Sequence, residues 1–199
     1  MNVPSITLAS GSVIRRRILN DAGVTFEVIT KPVDEAAIKT AMLAEGARLR
    51  DIADALAEAK SVRVSRNQDG LVIGADQIMV FEDRLYDKPQ TLDEARARLL
   101  ALRGKTHYLI GAAVISENGS AVWRHISKTK LTMRDFSDSF LDGYLEAGGE
   151  DLLTSVGAYK FEGLGAQLFS AVDGDFFSIL GLSLLPVLDY LRIRGAIAS

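Results

Sequence analysis

The chain has 199 residues, 48% of them hydrophobic and 25% charged, which is an ordinary globular composition with enough chain for a sizeable core. Its net charge of -3 offers no overall positive field for DNA or RNA, and the lack of cysteine excludes disulfides, thiolate metal sites and cysteine nucleophiles. The first residues do not have the layout of a signal peptide, and no run reaches the roughly 18 apolar residues of a membrane span. We therefore expect a cytoplasmic protein with no nucleic-acid partner and no membrane association.

The first half of the chain alternates strands with helices. The apolar spacing predicts, in chain order, a strand at 6–9, a helix at 13–22, a strand at 26–29, a helix at 45–64, a strand at 71–80 and a short apolar stretch at 85–86. This alternation is typical of α/β proteins.

The second half begins with a capping box, in which Thr91 precedes a helix and Glu94 follows three residues later. We expect that helix to end at Gly104. The remaining predicted elements are strands at 107–116, 121–126 and 128–133, a hairpin link at 117–120, and helices at 139–147 and 183–193. Together the two halves predict an α/β fold with a mixed sheet, in a single domain over residues 1–199 that has two lobes and no separable linker.

Asp76 lies within the apolar strand predicted at 71–80. An unpaired carboxylate there would cost several kcal/mol, so it must be neutralised, paired or bound to a metal. Gly74 and Ala75 beside it leave room for a close approach to the backbone. Lys88 follows about one strand and one turn later, an arrangement that suits chemistry on a charged substrate. The alternative is that Asp76 caps a turn or pairs with an arginine.

Two further groups of residues carry charge at informative places. Three arginines, 15–17, fall in the first turns of the helix that follows Ser10-Gly11-Ser12, where serine hydroxyls and free N–H groups favour a phosphate cradle. The alternative is a solvated basic face with an ordinary serine cap. Lys60 shares a helical stripe with Ile52 and Leu56 and so points towards the interior or its rim, or else extends to solvent over apolar surface. The pair Asp34-Glu35 is able to hold a divalent cation or to cap a turn.

Four motifs follow one another along the chain, Leu8–Ser12, Ile73–Asp76, Asp87–Pro89 and Val156–Gly165, and Arg15, Asp34-Glu35 and Lys60 fall in order between the first two. In this combination the chain resembles the Maf family of nucleoside triphosphate pyrophosphatases along nearly its whole length. The resemblance implies an elongated mixed β-sheet with flanking helices and two lobes around a deep substrate cleft. It also implies a homodimer, a divalent cation (Mg²⁺ or Mn²⁺), and hydrolysis of a nucleoside triphosphate to the monophosphate and pyrophosphate.

The resemblance also implies roles for the matching positions. Asp76 takes the place of the catalytic base, and Glu35 and Asp76 take the places of cation ligands. The positions that line the phosphates are Ser10, Ser12, Arg15, Lys60 and Lys88. The pattern leaves open whether Asp76 accepts the proton itself or mainly holds the metal.

The chain departs from the family pattern at positions that bear on the substrate. Gln77 and Glu162 stand where members that prefer thymidine and uridine nucleotides have threonine and glutamine, and they look like the branch that hydrolyses 7-methyl-GTP. Ile14 stands where that branch often has tryptophan, so stacking on a methylated base would be weaker. Because a carboxylate accepts two hydrogen bonds side by side, Glu162 matches the N1–H and N2–H₂ edge of guanine. We expect a substrate range that favours purines.

Two other classes of function stay open. A nucleotide-sensing or partner-binding module, acting in cell-division control without turnover, needs the basic residues but not a buried carboxylate beside a metal. A structural protein needs none of the cationic positions. Asp76 and Glu35 therefore favour an enzyme.

Overall fold

Seven strands form a mixed sheet in the computed structural model, which describes residues 3–198. They are β1 (Ile6–Leu8), β2 (Glu27–Val28), β3 (Leu71–Phe81), β4 (Arg84–Tyr86), β5 (Thr106–Glu117), β6 (Ser120–Met133) and β7 (Phe169–Asp173). The strand order is β2-β1-β3-β5-β6-β7, with β4 paired to β3. Strand β1 runs parallel to β2 and β3, whereas β4 and β7 run antiparallel to their partners. The predicted α/β fold with a mixed sheet is confirmed.

Within residues 3–198, seven α-helices connect and flank these strands. They are α1 (Val13–Asp21), α2 (Glu35–Ala44), α3 (Leu49–Ser65), α4 (Leu92–Leu102), α5 (Asp138–Gly148), α6 (Phe176–Ile179) and α7 (Leu184–Ile193). Two 3₁₀ helices cover Gly149–Thr154 and Leu164–Leu168. None of the helices within residues 3–198 is long and apolar enough to cross a membrane.

The chain divides into two compact units. The first contains the described residues up to Gln77 together with 111–127 and the described residues from Phe176 onward, and the second contains 78–110 and 128–175. In the first unit, one buried cluster joins apolar side chains of β1, β3 and β5 to those of α1 and α7, among them Leu8, Leu19, Ile73, Ile115 and Leu191. This core fixes the strand on which Asp76 lies.

The helix predicted at 45–64 is confirmed as α3, which begins four residues later, at Leu49, and ends at Ser65, whereas helix α2 at Glu35–Ala44 was not predicted. Asp34 caps α2 by accepting a hydrogen bond from the N–H of Ala37 at 2.9 Å, so the alternative that it caps an element is confirmed. Helix α2 contains no fully buried residue, and its apolar pattern is correspondingly weak. The chain turns at Gly46, which has a positive φ of 70°, before α3 begins.

Strand β6 is one continuous strand of 14 residues, so the prediction of two separate strands at 121–126 and 128–133 is wrong. The predicted hairpin before it is confirmed, since Asn118 and Gly119 both have positive φ, as a tight two-residue turn requires. The capping box at α4 is only half formed. Thr91 accepts from the N–H of Glu94, but the Glu94 carboxylate accepts from the N–H of Gln90 at 2.7 Å and not from that of Thr91.

Candidate active site

Glycine at position 74 allows β3 and α3 to pack backbone against backbone. A Cβ atom on Gly74 would lie 2.3 Å from the carbonyl oxygen of Ala57 and 2.8 Å from the nitrogen of Ser61. The close approach expected at Gly74 is therefore made by helix α3. Because side chains two positions apart on a strand share a face, Asp76 points to the same side as Gly74. There it binds Lys60, which immediately precedes Ser61 on helix α3.

Lys60 binds two carboxylates at once. Its ammonium nitrogen lies 2.5 Å from Oδ1 of Asp76 and 2.9 Å from Oε1 of Glu35. The side chains of Lys60 and Asp76 are only 17% and 11% exposed, so the pair is shielded from water, whereas Glu35 is 43% exposed. Asp76 is thus paired within the strand, and its partner is a lysine and not an arginine. The structure also brings together both predicted cation ligands.

Arg15, on helix α1, reaches the residue next to Asp76. Its Nε donates to the carbonyl of Gly181 at 2.8 Å, and its Nη1 donates to the carbonyl of Ala75 at 2.8 Å and to Oγ of Ser10 at 3.1 Å. Burial lowers the pKa of Arg15, while the nearby carboxylates of Asp76 and Glu35 oppose that shift. A guanidinium held in this way ties α1 to the strand that bears Asp76.

The two serines before α1 have different local roles. Ser12 is the N-cap of α1, and its hydroxyl accepts from the N–H of Arg15 at 3.4 Å. Ser10 is buried and accepts from both the N–H of Ser12 and the guanidinium of Arg15. The two hydroxyls of the predicted phosphate cradle therefore already accept hydrogen bonds from the first residues of α1 and its N-cap. Arg16 and Arg17, by contrast, are exposed.

The predicted specificity residues of the first unit contact protein groups. Gln77 donates through its amide nitrogen to the carbonyls of Ser178 and Ile179, at 2.7 and 3.2 Å. It thus binds α6, whereas its neighbour Asp76 binds α3, as expected for adjacent residues of a strand. Ile14 is partly buried and packs against the core cluster of this unit.

The remaining two predicted residues, Lys88 and Glu162, belong to the second unit and are exposed. Lys88 follows β4, and its carbonyl accepts from the side chain of Gln90 at 3.1 Å. Glu162 follows a segment that is tightly fixed by Tyr159, whose hydroxyl lies 2.8 Å from Nε2 of His107. Ala158 in that segment has a positive φ of 58°, a conformation that a non-glycine residue rarely adopts.

The carboxylates of Asp76 and Glu35 have the chemistry to bind a hard divalent cation. Two carboxylates direct an oxygen each at the same ammonium group, so they also converge on the position of one cation. Mg²⁺ commonly binds one or two protein carboxylates and takes its other ligands from phosphate oxygens and water. Within residues 3–198, no group of three or more acidic, histidine or cysteine side chains is arranged for a metal, so such a cation would depend on the substrate for further ligands.

Sequence reasoning missed the acceptor that Arg15 finds at Gly181, which lies 166 residues along the chain. It also missed the buried hydroxyl pair of Ser61 and Ser116, whose oxygens are 2.7 Å apart and which joins α3 to β5. Gly181 has a positive φ of 101°, but a lone glycine gives no indication of its partner. No sequence signal identifies contacts over such separations.

Comparison with known proteins shows the family to which this chain is similar. Residues 5–193 match the family model described as Maf, Maf-like protein. A protein of Caulobacter vibrioides named nucleoside triphosphate pyrophosphatase is 53% identical over 197 residues, which are 99% of each chain. A protein of the same name from Paramagnetospirillum magneticum is 53% identical over 94% of this chain and 97% of its own. A 7-methyl-GTP pyrophosphatase of Rhizobium meliloti is 47% identical over 98% of both chains.

Proposed function

Because this chain belongs to the Maf family, we propose that it is a nucleoside triphosphate pyrophosphatase whose reaction centres on Asp76. The observation that carries the proposal is the triad of Lys60, Asp76 and Glu35, in which one partly buried cation holds two carboxylates. Relatives that share about half of their residues with this chain carry that activity in their names.

The reaction needs a water molecule directed at the α-phosphorus of the nucleotide. Attack forms a new P–O bond and breaks the bond to the oxygen that bridges the α- and β-phosphorus atoms, so pyrophosphate leaves and the nucleoside monophosphate remains. Asp76 accepts the proton that the water gives up, as a general base within a shielded site. Its burial beside Lys60 keeps the carboxylate in a fixed direction.

Glu35 and Asp76 would hold the divalent cation. When bound, Mg²⁺ or Mn²⁺ would neutralise phosphate oxygens and so favour the departure of pyrophosphate. Lys60 now pairs with the same two carboxylates. A cation bound there would replace Lys60 as their partner, and its ammonium group would then be available to the triphosphate. Arg15 supplies a second positive charge at the start of α1, where Ser10 and Ser12 orient the backbone.

We propose that the substrate carries a guanine-type base. Glu162 supports this, because a carboxylate accepts from both N1–H and N2–H₂ of guanine, whereas thymine and uracil present two carbonyls around one N–H. The named activity of the Rhizobium meliloti relative is consistent with a guanine-type substrate. Lys88, Gln77 and Ile14 keep the roles that the family resemblance implies, in phosphate binding and in the choice of base. A homodimer and a cytoplasmic location belong to the same proposal.

The experiment is a pyrophosphate-release assay of the purified protein with GTP, 7-methyl-GTP, ITP, CTP, UTP and dTTP, with Mg²⁺, with Mn²⁺, and with a chelator. We expect release from guanine-type nucleotides that disappears on chelation. Release from pyrimidine nucleotides alone would leave the enzyme in place and refute the choice of base. Nucleotide binding without release from any of the six would instead support a sensor.

A further inference from the structure

Arg98, on helix α4, is a partly buried cation whose hydrogen bonds go to main-chain carbonyl groups. Its Nη1 donates to the carbonyl of Asp87 and, at 2.6 Å, to the carbonyl of Val156. Its guanidinium carbon lies 5.4 Å from the centre of the Tyr86 ring, within the range of a cation–π interaction. One nitrogen atom thus joins the segment at Asp87 to the segment at Val156, which are far apart in the sequence.

Both of these segments carry a residue that the proposed function uses. Asp87 immediately precedes Lys88, the predicted phosphate ligand, and Val156 begins the glycine-punctuated stretch that contains Glu162. All of these residues belong to the second unit, so the contacts of Arg98 are internal to that unit. The side chain is therefore placed to set the distance between a residue for the phosphates and a residue for the base.

Each segment also has contacts of its own, and Arg98 adds a contact between the two. Around Lys88, the ring of Pro89 is buried and Gln90 binds back to the carbonyl of Lys88. In the other segment, the Tyr144 hydroxyl accepts from the N–H of Lys160 at 3.3 Å and lies 3.4 Å from the carbonyl of Ala158. Because Arg98 donates to a carbonyl of each segment, its loss should loosen both segments and the spacing between them.

The contacts at this position suit arginine better than lysine. A planar guanidinium can stack on Tyr86 while it donates in its own plane to two carbonyls, which a lysine ammonium does not do. Its Nε is buried and has no hydrogen-bond partner among the described residues, which is an energetic cost that packing alone does not explain.

We propose that Arg98 is a positioning residue that holds the Lys88 and Glu162 segments at the spacing that a nucleoside triphosphate requires. The inference rests on the proposed function, since it assigns Lys88 to the phosphates and Glu162 to the base. Loss of Arg98 weakens the simultaneous use of both residues without touching the reacting atoms.

The test compares R98Q and R98K with R96Q. Arg96 lies on the same helix and pairs with Asp142, so R96Q removes the same charge without affecting either segment. We expect R98Q to lower kcat/KM for GTP by about 10- to 100-fold, the range that a displacement of about 1 Å produces. The preference for GTP over UTP should also shrink, and R98K should recover part of the loss. R96Q should behave as the unaltered protein.

Amide hydrogen exchange provides a readout that does not depend on turnover. In R98Q, exchange should become faster at 86–90 and at 156–160 together, and in R96Q at neither. If R98Q matches R96Q in kcat/KM, in base preference and in exchange, the inference is overturned. If the unaltered protein releases no pyrophosphate from any nucleotide, the proposed function fails instead, and the exchange data alone decide whether Arg98 joins the two segments.

Discussion

Lys60 Nζ lies 2.5 Å from Oδ1 of Asp76, and the same nitrogen lies 2.9 Å from Oε1 of Glu35. Lys60 thus occupies the position between two carboxylates at which we propose that a divalent cation binds. The arrangement depends on Gly74, because the absence of its side chain lets α3 approach β3 closely enough for Lys60 to reach Asp76. The close packing of α3 on β3 therefore determines which charged groups meet.

Replacing Gly74 with alanine should destabilise the protein. The new methyl group would meet backbone atoms of α3 at 2.3 and 2.8 Å, and backbone is unable to move as the end of a flexible side chain does. Overpacking of this kind costs about 1–3 kcal/mol or more of unfolding free energy. Urea unfolding of G74A measures it.

Gly143→Ala is the matched control for that variant. Gly143 lies within α5, and a Cβ atom there would meet nothing within 4 Å. Alanine at this helical position should raise the unfolding free energy by about 0.5–1 kcal/mol. Equal stability changes in G74A and G143A would contradict the close packing of β3 on α3.

Replacing Lys60 with methionine should strengthen the binding of Mn²⁺ in the absence of nucleotide. The substitution keeps the length of the side chain but frees Glu35 and Asp76 from their shared ammonium. We expect the Kd for Mn²⁺ to fall by about tenfold, which corresponds to 1.4 kcal/mol. Electron paramagnetic resonance titration measures it, with K31M as the control, because Lys31 pairs with Asn67 instead. An unchanged or higher Kd in K60M would show that these carboxylates are not the cation ligands.

The stability of the protein should fall as the pH is lowered from 6.5 towards 4, in part because of His107. Burial lowers the pKa of His107 from 6.5 to about 4, so the folded protein keeps this ring neutral while the unfolded chain takes up a proton. Since the unfolded state binds more protons in this window, the unfolding free energy rises with pH across it. The difference of roughly 2.5 pKa units corresponds to about 3 kcal/mol.

Unfolding measured between pH 4 and 7 tests this in H107Q and H125Q. His125 is only partly buried and stacks on Trp123, so its replacement leaves the buried ring in place. H107Q should be less stable than the unaltered protein at pH 7, yet its stability should depend less steeply on pH. The account fails here if H107Q and the unaltered protein show the same slope.

Changing Glu162 to glutamine should alter the choice of nucleotide more than the rate of the reaction. The amide offers one acceptor and one donor group in place of two acceptors, so it no longer matches the edge of guanine. The ratio of kcat/KM for GTP to that for UTP should fall by about tenfold or more. E150Q, at an exposed acidic residue outside the predicted site, is the control. A ratio that stays the same in E162Q would remove Glu162 from base selection.

Local signals in the sequence singled out both residues of the shielded Lys60–Asp76 ion pair. A charge within an apolar strand and a lysine on an apolar helical stripe each stand out within one element, and the structure pairs Asp76 with Lys60. The partners of Arg15 and Arg98 were not predictable in this way. Each of them donates to a main-chain carbonyl far along the chain, 166 positions away for Arg15 and 58 for Arg98, and every residue, proline included, supplies such a carbonyl.

The errors in the fold have a related cause. Helix α2 has no fully buried residue, so periodicity gave little sign of it. Strand β6 alternates exposed and half-buried positions through the polar Ser127, which falls between the two strands predicted from sequence. The short elements β7 and α6 lie in a stretch with weak periodicity, where local sequence preference decides little.

Substitution of Asp76 by asparagine is the most direct test of the central claim. D76N keeps the shape of the side chain but accepts no proton, and D69N changes an exposed aspartate shortly before the same strand. With a guanine-type nucleotide and Mg²⁺, we predict that D76N releases pyrophosphate at least about 100-fold more slowly while D69N is unaffected. If D76N retains the rate of the unaltered protein, Asp76 is not at the centre of the reaction.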